Sequence, residues 1–385
     1  MNQENTNNKT IKKRYFIWVL LVLSMLSVVF LLWAHYSASV NERQNRLFFV
    51  ARNSSNAEIL RTLIENGANV NAIHENGWTP LMVAVRMNPN LEISLALIEN
   101  GADVNASTQN GWTPLMIAVS HNPNPDIPLT LLENGADVNA STQLGATPLM
   151  LAVRNSAAPD VIQFLVENGA DVNAADNLGR PVLFFAVQGR ATNDVSQFLI
   201  DSGANVNAVT GNGDTLLIQA ILLELSYEVD LNPDFFRLLI ENGADVNTVN
   251  KTGWTPLMVL VHRSSNLEML RLLIEGGADV NAIARDGLTP LMIAATLNSN
   301  HEVLRLLIDN GADINVALKS VTPLMLAAQN NSNPEVLRIL IERGADVRAK
   351  NNEGYTALDL ARSNENLKGI DIYNLLREKT YSEKE

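Results

Sequence analysis

The chain has 385 residues, 46% of them hydrophobic, a net charge of −13 at neutral pH and no cysteine. Such an acidic chain, with no basic stripe to offset the charge, repels the phosphate backbone, so nucleic acid is not an expected partner. The missing thiols exclude a disulfide framework and a thiolate zinc site.

Residues 1–14 form a short basic tail, with Lys9, Lys12, Lys13 and Arg14 against Glu4. The stretch from Tyr15 to Ala34 carries no charge across twenty residues. At 1.5 Å rise per residue it is long enough to cross a hydrocarbon layer of about 30 Å. Trp18 and Trp33 stand near its ends, where interfacial aromatics are favoured. Residues 15–35 are therefore expected to be a transmembrane helix or signal anchor. The basic residues before the run outweigh Arg43, Arg46 and Arg52, which lie farther away and spread out. The positive-inside bias then puts the N-terminus in the cytoplasm and the rest of the chain outside it. A cleaved signal peptide is the alternative. Ser37-Ala38-Ser39 offers small residues for cleavage, which would release a secreted chain beginning near Val40. The apolar run exceeds the usual signal-peptide core of about 7–15 residues, which favours the anchor. Residues 36–44 read as a linker that spans at most about 35 Å.

From residue 45 to 379 the chain repeats itself. Thr-Pro-Leu-Met occurs at Thr79, Thr113, Thr147, Thr255, Thr289 and Thr322, with weaker copies from Pro181, Thr215 and Thr356. A second phrase, Gly-Ala-Asp/Asn-Val/Ile-Asn/Arg, keeps step with it in nine copies, the first within 66–71. The spacing is 34 residues, with one step of 40 and one of 33. A fixed period in this range marks a stacked-repeat protein, and it replaces the two or three domains that length alone suggests.

Residues 74–106 illustrate one period. Gly77 suits a turn, Thr79 a helix N-cap, and Pro80 the first helical position. Leu81 to Val85 is an apolar block, and Asn88-Pro89-Asn90 ends that helix. A second helix follows from Leu91 to Glu99, with Leu91, Leu95, Leu97 and Ile98 as its apolar stripe. Asn100-Gly101 stops it, and the short Asp103 can bond its own backbone in the next turn. Neither helix can bury its stripe alone, so each depends on the next repeat.

The recurring G-x-T-P-L-x-x-A, followed about 24 residues later by G-A-D-V-N, resembles the ankyrin repeat over nearly 90% of the chain. The resemblance implies an all-α dominated solenoid of antiparallel helix pairs with β-hairpin fingers, and protein–protein binding as its task. About ten units are expected, including an N-terminal cap from Leu47 to Asn71 and a polar C-terminal cap before the charged tail 380–385.

Three departures stand out. The family's histidine after T-P-L is replaced by Met82, Met116, Met150, Met258, Met292 and Met325, with Phe184 and Ile218 in the degenerate copies. Core packing is the expected role of these apolar residues. The unit from Gly213 is six residues longer around 221–231, which predicts a first helix extended by a turn or more and a longer loop. The unit from Ser320 has lost its turn glycine, so its finger is expected to be irregular.

Nothing in the chain reads as an enzyme. His35, His74, His121, His262 and His301 fall at no ligand spacing, and Thr210 to Asp214 lacks the strand and helix of a phosphate loop. No cofactor, metal or small-molecule substrate is expected. What remains is surface. After the turn glycine stand Trp78, Trp112, Arg180, Asp214 and Trp254, and after the apolar block of the first helix stand Arg86, Arg154 and His262. These vary where their neighbours repeat, and tryptophan and arginine are favoured at binding hot spots. They form the candidate partner-binding surface of a membrane-anchored scaffold. A secreted effector and a self-assembling structural protein are the alternatives.

Overall fold

The computed structural model describes Met25, Leu26, Val29 and residues 40–189, 191–227, 233–367 and 371–381. The chain divides into two compact units. The first comprises the described residues of 1–143 with 163–168, the second those of 144–162 with 169–385. The expected span 15–35 lies outside the described residues, apart from Met25, Leu26 and Val29, which are helical. Among the described residues no helix is long and apolar enough to cross a membrane.

Each unit is a run of helix pairs. The first holds a helix through 40–53, then Ala57–Glu65, Pro80–Met87, Leu91–Glu99, Pro114–His121 and Asp126–Glu133. Residues 40–44, expected as linker, belong to that first helix. The second unit repeats the pattern from Pro148–Arg154 to the terminal Asp371–Tyr381.

The helix starts follow from the sequence. The side chain of Thr79 accepts a hydrogen bond from the Met82 amide, and Pro80 occupies the first turn, where its missing N–H costs nothing. Thr113, Thr147, Thr255, Thr289 and Thr322 do the same. In the last repeat proline is absent, and Thr356 instead exchanges hydrogen bonds with Asp359 in a capping box. Gly101 ends a second helix at φ 87°, a conformation that side chains with a Cβ rarely adopt. Gly77 meets a second demand besides its φ of 86°, since a Cβ there would lie 3.0 Å from the Thr108 backbone of the next finger.

The core runs along each stack. Met82, Met116, Met150, Met258, Met292 and Met325 are all fully buried, and Phe184 and Ile218 join them, as core packing requires. The second-helix stripe is different from the one expected. Ile93, Ser94, Ala96 and Leu97 are buried, while Leu91, Leu95 and Ile98 are only half-covered. That helix packs on its own first helix and on the second helices of both neighbouring repeats, so its buried arc is wider than one stripe.

Two sets of asparagines join successive repeats. Within each unit the amide that ends a Gly-Ala-Asp-Val-Asn phrase bridges to the next copy. Asn71 donates to the Gly101 carbonyl at 2.8 Å and accepts from the Asp103 amide at 2.8 Å. Asn105 treats Gly135 and Asp137 in the same way. In the second unit Asn173, Asn207, Asn247, Asn281 and Asn315 continue the pattern. The aspartate of the phrase turns inward on itself: Asp103 accepts from the Asn105 amide at 2.8 Å. On the far side of the helices, the loop asparagines Asn88, Asn298, Asn331 and Asn364 are buried. Asn331 donates to the carbonyls of Ala295 and Asn298, closing the end of the preceding first helix. Two residues later, Asn333 caps its own second helix.

The fingers are tight loops rather than β-hairpins. Among the described residues the only pairings are isolated bridges at Ala175 and Pro181, Val209 and Thr215, and Leu318 and Val321. Each finger closes on itself, as in the bond from the His74 amide to the Trp78 carbonyl at 2.8 Å. One closing pair before the turn is too little for a ladder. The finger without a glycine places Lys319 and Ser320 at φ 49° and 67° between mutually bonded Leu318 and Val321. That is a two-residue turn of the kind that prefers Asn-Gly. The insert lengthens the first helix to twelve residues, Leu216–Tyr227, against eight in Pro256–Arg263. The rest of the insert, 228–232, lies outside the described residues.

Two predictions concern stability. Asn331→Ala leaves two buried carbonyls without a donor and is expected to cost about 1–3 kcal/mol. Asn331→Asp sets a carboxylate against them and costs more, as measured by urea unfolding midpoints. Lys319→Asn with Ser320→Gly relieves two left-handed residues and raises the thermal midpoint by the equivalent of about 1 kcal/mol. An unchanged midpoint would show that the turn carries no strain.

Candidate partner-binding surface

In the first unit Trp78 sits at the base of a finger, just before the Thr79 cap, with its ring half-buried. The following helix is eight residues long, so a side chain on its last turn can lean back toward the finger. Arg86 does so and brings its guanidinium 5.4 Å from the Trp78 ring centroid. In the next repeat Trp112 is again half-buried, but Ser120 is too short to reach it. His121 takes the place instead, with ring centroids 6.1 Å apart.

The second unit holds the same arrangement once. Trp254 meets His262 edge to face, with centroids 5.2 Å apart and planes at 88°. Arg154 is exposed at the end of Pro148–Arg154, where the finger position is Ala146 and offers no ring. Arg180 occupies the finger position that tryptophan holds elsewhere. Its guanidinium bonds the Asp176 carboxylate at 2.7 Å and lies 5.2 Å from the rings of both Phe184 and Phe185. Asp176 is buried and also accepts from the amides of Leu178 and Arg180. Arg180 therefore fastens its own finger to the helix below.

Asp214 is not a surface contact. It is buried, and its carboxylate accepts from Gln219 at 2.9 Å and Asn250 at 3.2 Å. A side chain this short cannot cover the finger as tryptophan does, so it turns inward to the available amides.

The remaining display is a set of half-buried tryptophan faces, each beside a cationic or imidazole group. A flat apolar surface with a charged neighbour suits a protein partner's side chains. A further set of exposed apolar residues lies on the fingers, outside the recurring sequence motifs. Ile73, Val209, Val249 and Ile283 all stand two residues after a bridging asparagine and are exposed. Other copies have Ser107, Ser141 or Ala175 at that place, and this substitution pattern was the available signal. Among the described residues no three His, Asp or Glu side chains gather as metal ligands would.

The chain matches a family model described as ankyrin repeats (3 copies) over residues 23–108, 47–142, 90–176, 149–229 and 225–318. A second model, ankyrin repeats (many copies), matches residues 316–361. No curated protein sequence matches the chain.

Burial, and then the charge of Arg263, hold the His262 imidazole below its ordinary value. The fold therefore favours the neutral ring. Stability is unaffected above the ordinary value of about 6.5 and declines as pH falls from there through the lowered folded value. In an NMR titration His262 is expected to protonate below the ordinary imidazole value, and Trp254→Ala should move its midpoint upward. A midpoint that stays put would mean the tryptophan is not what buries the ring.

Proposed function

Because this chain belongs to the ankyrin-repeat family, we propose that it is a protein-binding scaffold held at a membrane, with its repeats outside the cytoplasm. Ankyrin repeats serve in general as interaction modules rather than catalysts, and no residue here is assigned a catalytic role. The observation that carries the binding reading is the repeated pairing of a half-buried tryptophan with a side chain from the end of the first helix: Trp78 with Arg86, Trp112 with His121, and Trp254 with His262. These rings are held in place by the fold itself, so a partner that docks on them orders little and loses little entropy.

Membrane attachment rests on the twenty uncharged residues from Tyr15 to Ala34. Met25, Leu26 and Val29, the described residues of that run, are helical and exposed. The layout is a cytoplasmic tail 1–14, an anchor 15–35, a short connection and the array 45–379. Orientation follows from Lys9, Lys12, Lys13 and Arg14 on the cytoplasmic flank. The small residues Ser37-Ala38-Ser39 favour one second reading, release as a secreted binder.

Membrane fractionation, protease treatment of spheroplasts and intact-mass analysis test the layout together. The expected result is an uncleaved membrane-bound chain whose repeats are degraded from outside. A soluble chain starting near Val40 would establish the secreted form. Repeats protected on a membrane-bound chain would reverse the orientation. For the binding surface, Trp78→Ala with Trp112→Ala is expected to weaken capture of the partner at least tenfold without loss of folding.

A further inference from the structure

The helix through 40–53 has two sides. Leu47, Val50 and Ala51 are buried in the array. The opposite side presents Arg46, Phe49 and Arg52 at three-residue intervals, all exposed. At 3.6 residues per turn this places Phe49 at the middle of the solvent face, flanked by the two arginines. Phe49 is 66% exposed. An end repeat normally shows water a polar face, and the terminal helix Asp371–Tyr381 does so with Asp371, Asn374, Arg377, Glu378 and Lys379. The first helix departs from that pattern. It also carries Arg43, Arg46 and Arg52 against Glu42 alone, in a chain whose net charge is −13.

Position in the chain supplies the second observation. Ala34 ends the twenty-residue apolar run, and Val40 is already helical. Six residues reach at most about 21 Å. If the run lies in a bilayer, this helix cannot leave the neighbourhood of the headgroups. An aromatic ring is favoured at that depth, and a guanidinium pairs with a lipid headgroup phosphate on either leaflet.

We propose that the Arg46, Phe49 and Arg52 face rests on the anionic headgroups of the membrane that holds residues 15–34, fixing the orientation of the first repeat to the lipid surface. This rests on the anchored reading above. Phe49 enters the interfacial layer and the two guanidinium groups pair with lipid phosphates on either side of it.

The absence of native cysteine allows a single label. The full-length chain carrying Asn45→Cys, which lies on the same face, is labelled with a polarity-sensitive fluorophore and reconstituted into phosphatidylcholine vesicles with and without phosphatidylglycerol. With phosphatidylglycerol the emission is expected to shift to the blue and iodide quenching to fall severalfold. A label at Tyr381→Cys should stay water-like. Adding Arg46→Glu and Arg52→Glu should abolish the shift while the chain still sediments with vesicles. Sedimentation with a water-like label at Asn45→Cys in anionic vesicles overturns this proposal and leaves the anchor standing. A blue shift that survives the charge reversal means burial against protein, and overturns it too. Failure to sediment in any vesicle overturns both readings.

Discussion

One side-chain amide at the end of the Gly-Ala-Asp-Val-Asn phrase fixes how a repeat meets the next within each unit. Asn71 offers its N–H to the Gly101 carbonyl and its oxygen to the Asp103 amide, and the same two bonds recur down each unit. Only a side chain with both a donor and an acceptor at this length can satisfy both groups. Aspartate would oppose the carbonyl, and a longer side chain would overreach. The targets are backbone atoms, so the partner phrase need only keep its conformation. That conformation comes from the left-handed glycine and from the aspartate, whose carboxylate accepts from the backbone amide of the asparagine two residues on. The last copy ends in Arg348, where no further phrase follows to be bridged.

The opposite side of the stack is joined by different chemistry. Asn88, Asn298, Asn331 and Asn364 bury their amides against carbonyls that end the preceding first helix. This solves a general problem, since the last carbonyls of a helix have no partner within it. In the middle of the chain the loop asparagine gives way to other solutions. Ser156, at φ 52°, donates to the Gly189 carbonyl at 3.0 Å, and Gly189 is packed so closely on Arg154 that a Cβ there would fall 2.3 Å from its carbonyl oxygen. Between the two seams lies an apolar core in which methionine needs no hydrogen-bond partner. Each interface thus depends on neighbours alone, the energetic signature of a one-dimensional array.

Because the seams and core consume the repeated residues, the variable ones are left for the surface. Tryptophan at the finger base and a cation or imidazole at the end of the first helix are compatible with every stacking contact. Where the finger position becomes Arg180 or Asp214, the side chain is drawn into the fold by a buried carboxylate or by nearby amides. The same position therefore serves display in one repeat and structure in another. At the N-terminal end the array meets a second constraint, the short distance between the uncharged run and the first helix. That distance gives an exposed phenylalanine between arginines a physical purpose in the proposed anchoring.

The sequence by itself determined the repeat, its period, the caps at Thr79 and its equivalents, the turn glycines and the buried methionines. These are local matters of backbone conformation and periodicity, and they survive in any copy read alone. It also located the insert and its helical extension. Tertiary structure alone decided what the asparagines do, because their partners lie 29 or more residues away and are backbone atoms that no side-chain pattern reveals. It decided that Ile93 rather than Leu91 faces the core, since the second helix packs on three neighbours. It separated Trp78 and Trp254, which remain half-exposed, from Asp214, which does not, although all three occupy the same place in the period. Side-chain length and the groups within reach settle that choice, and both become visible only when the repeats are stacked.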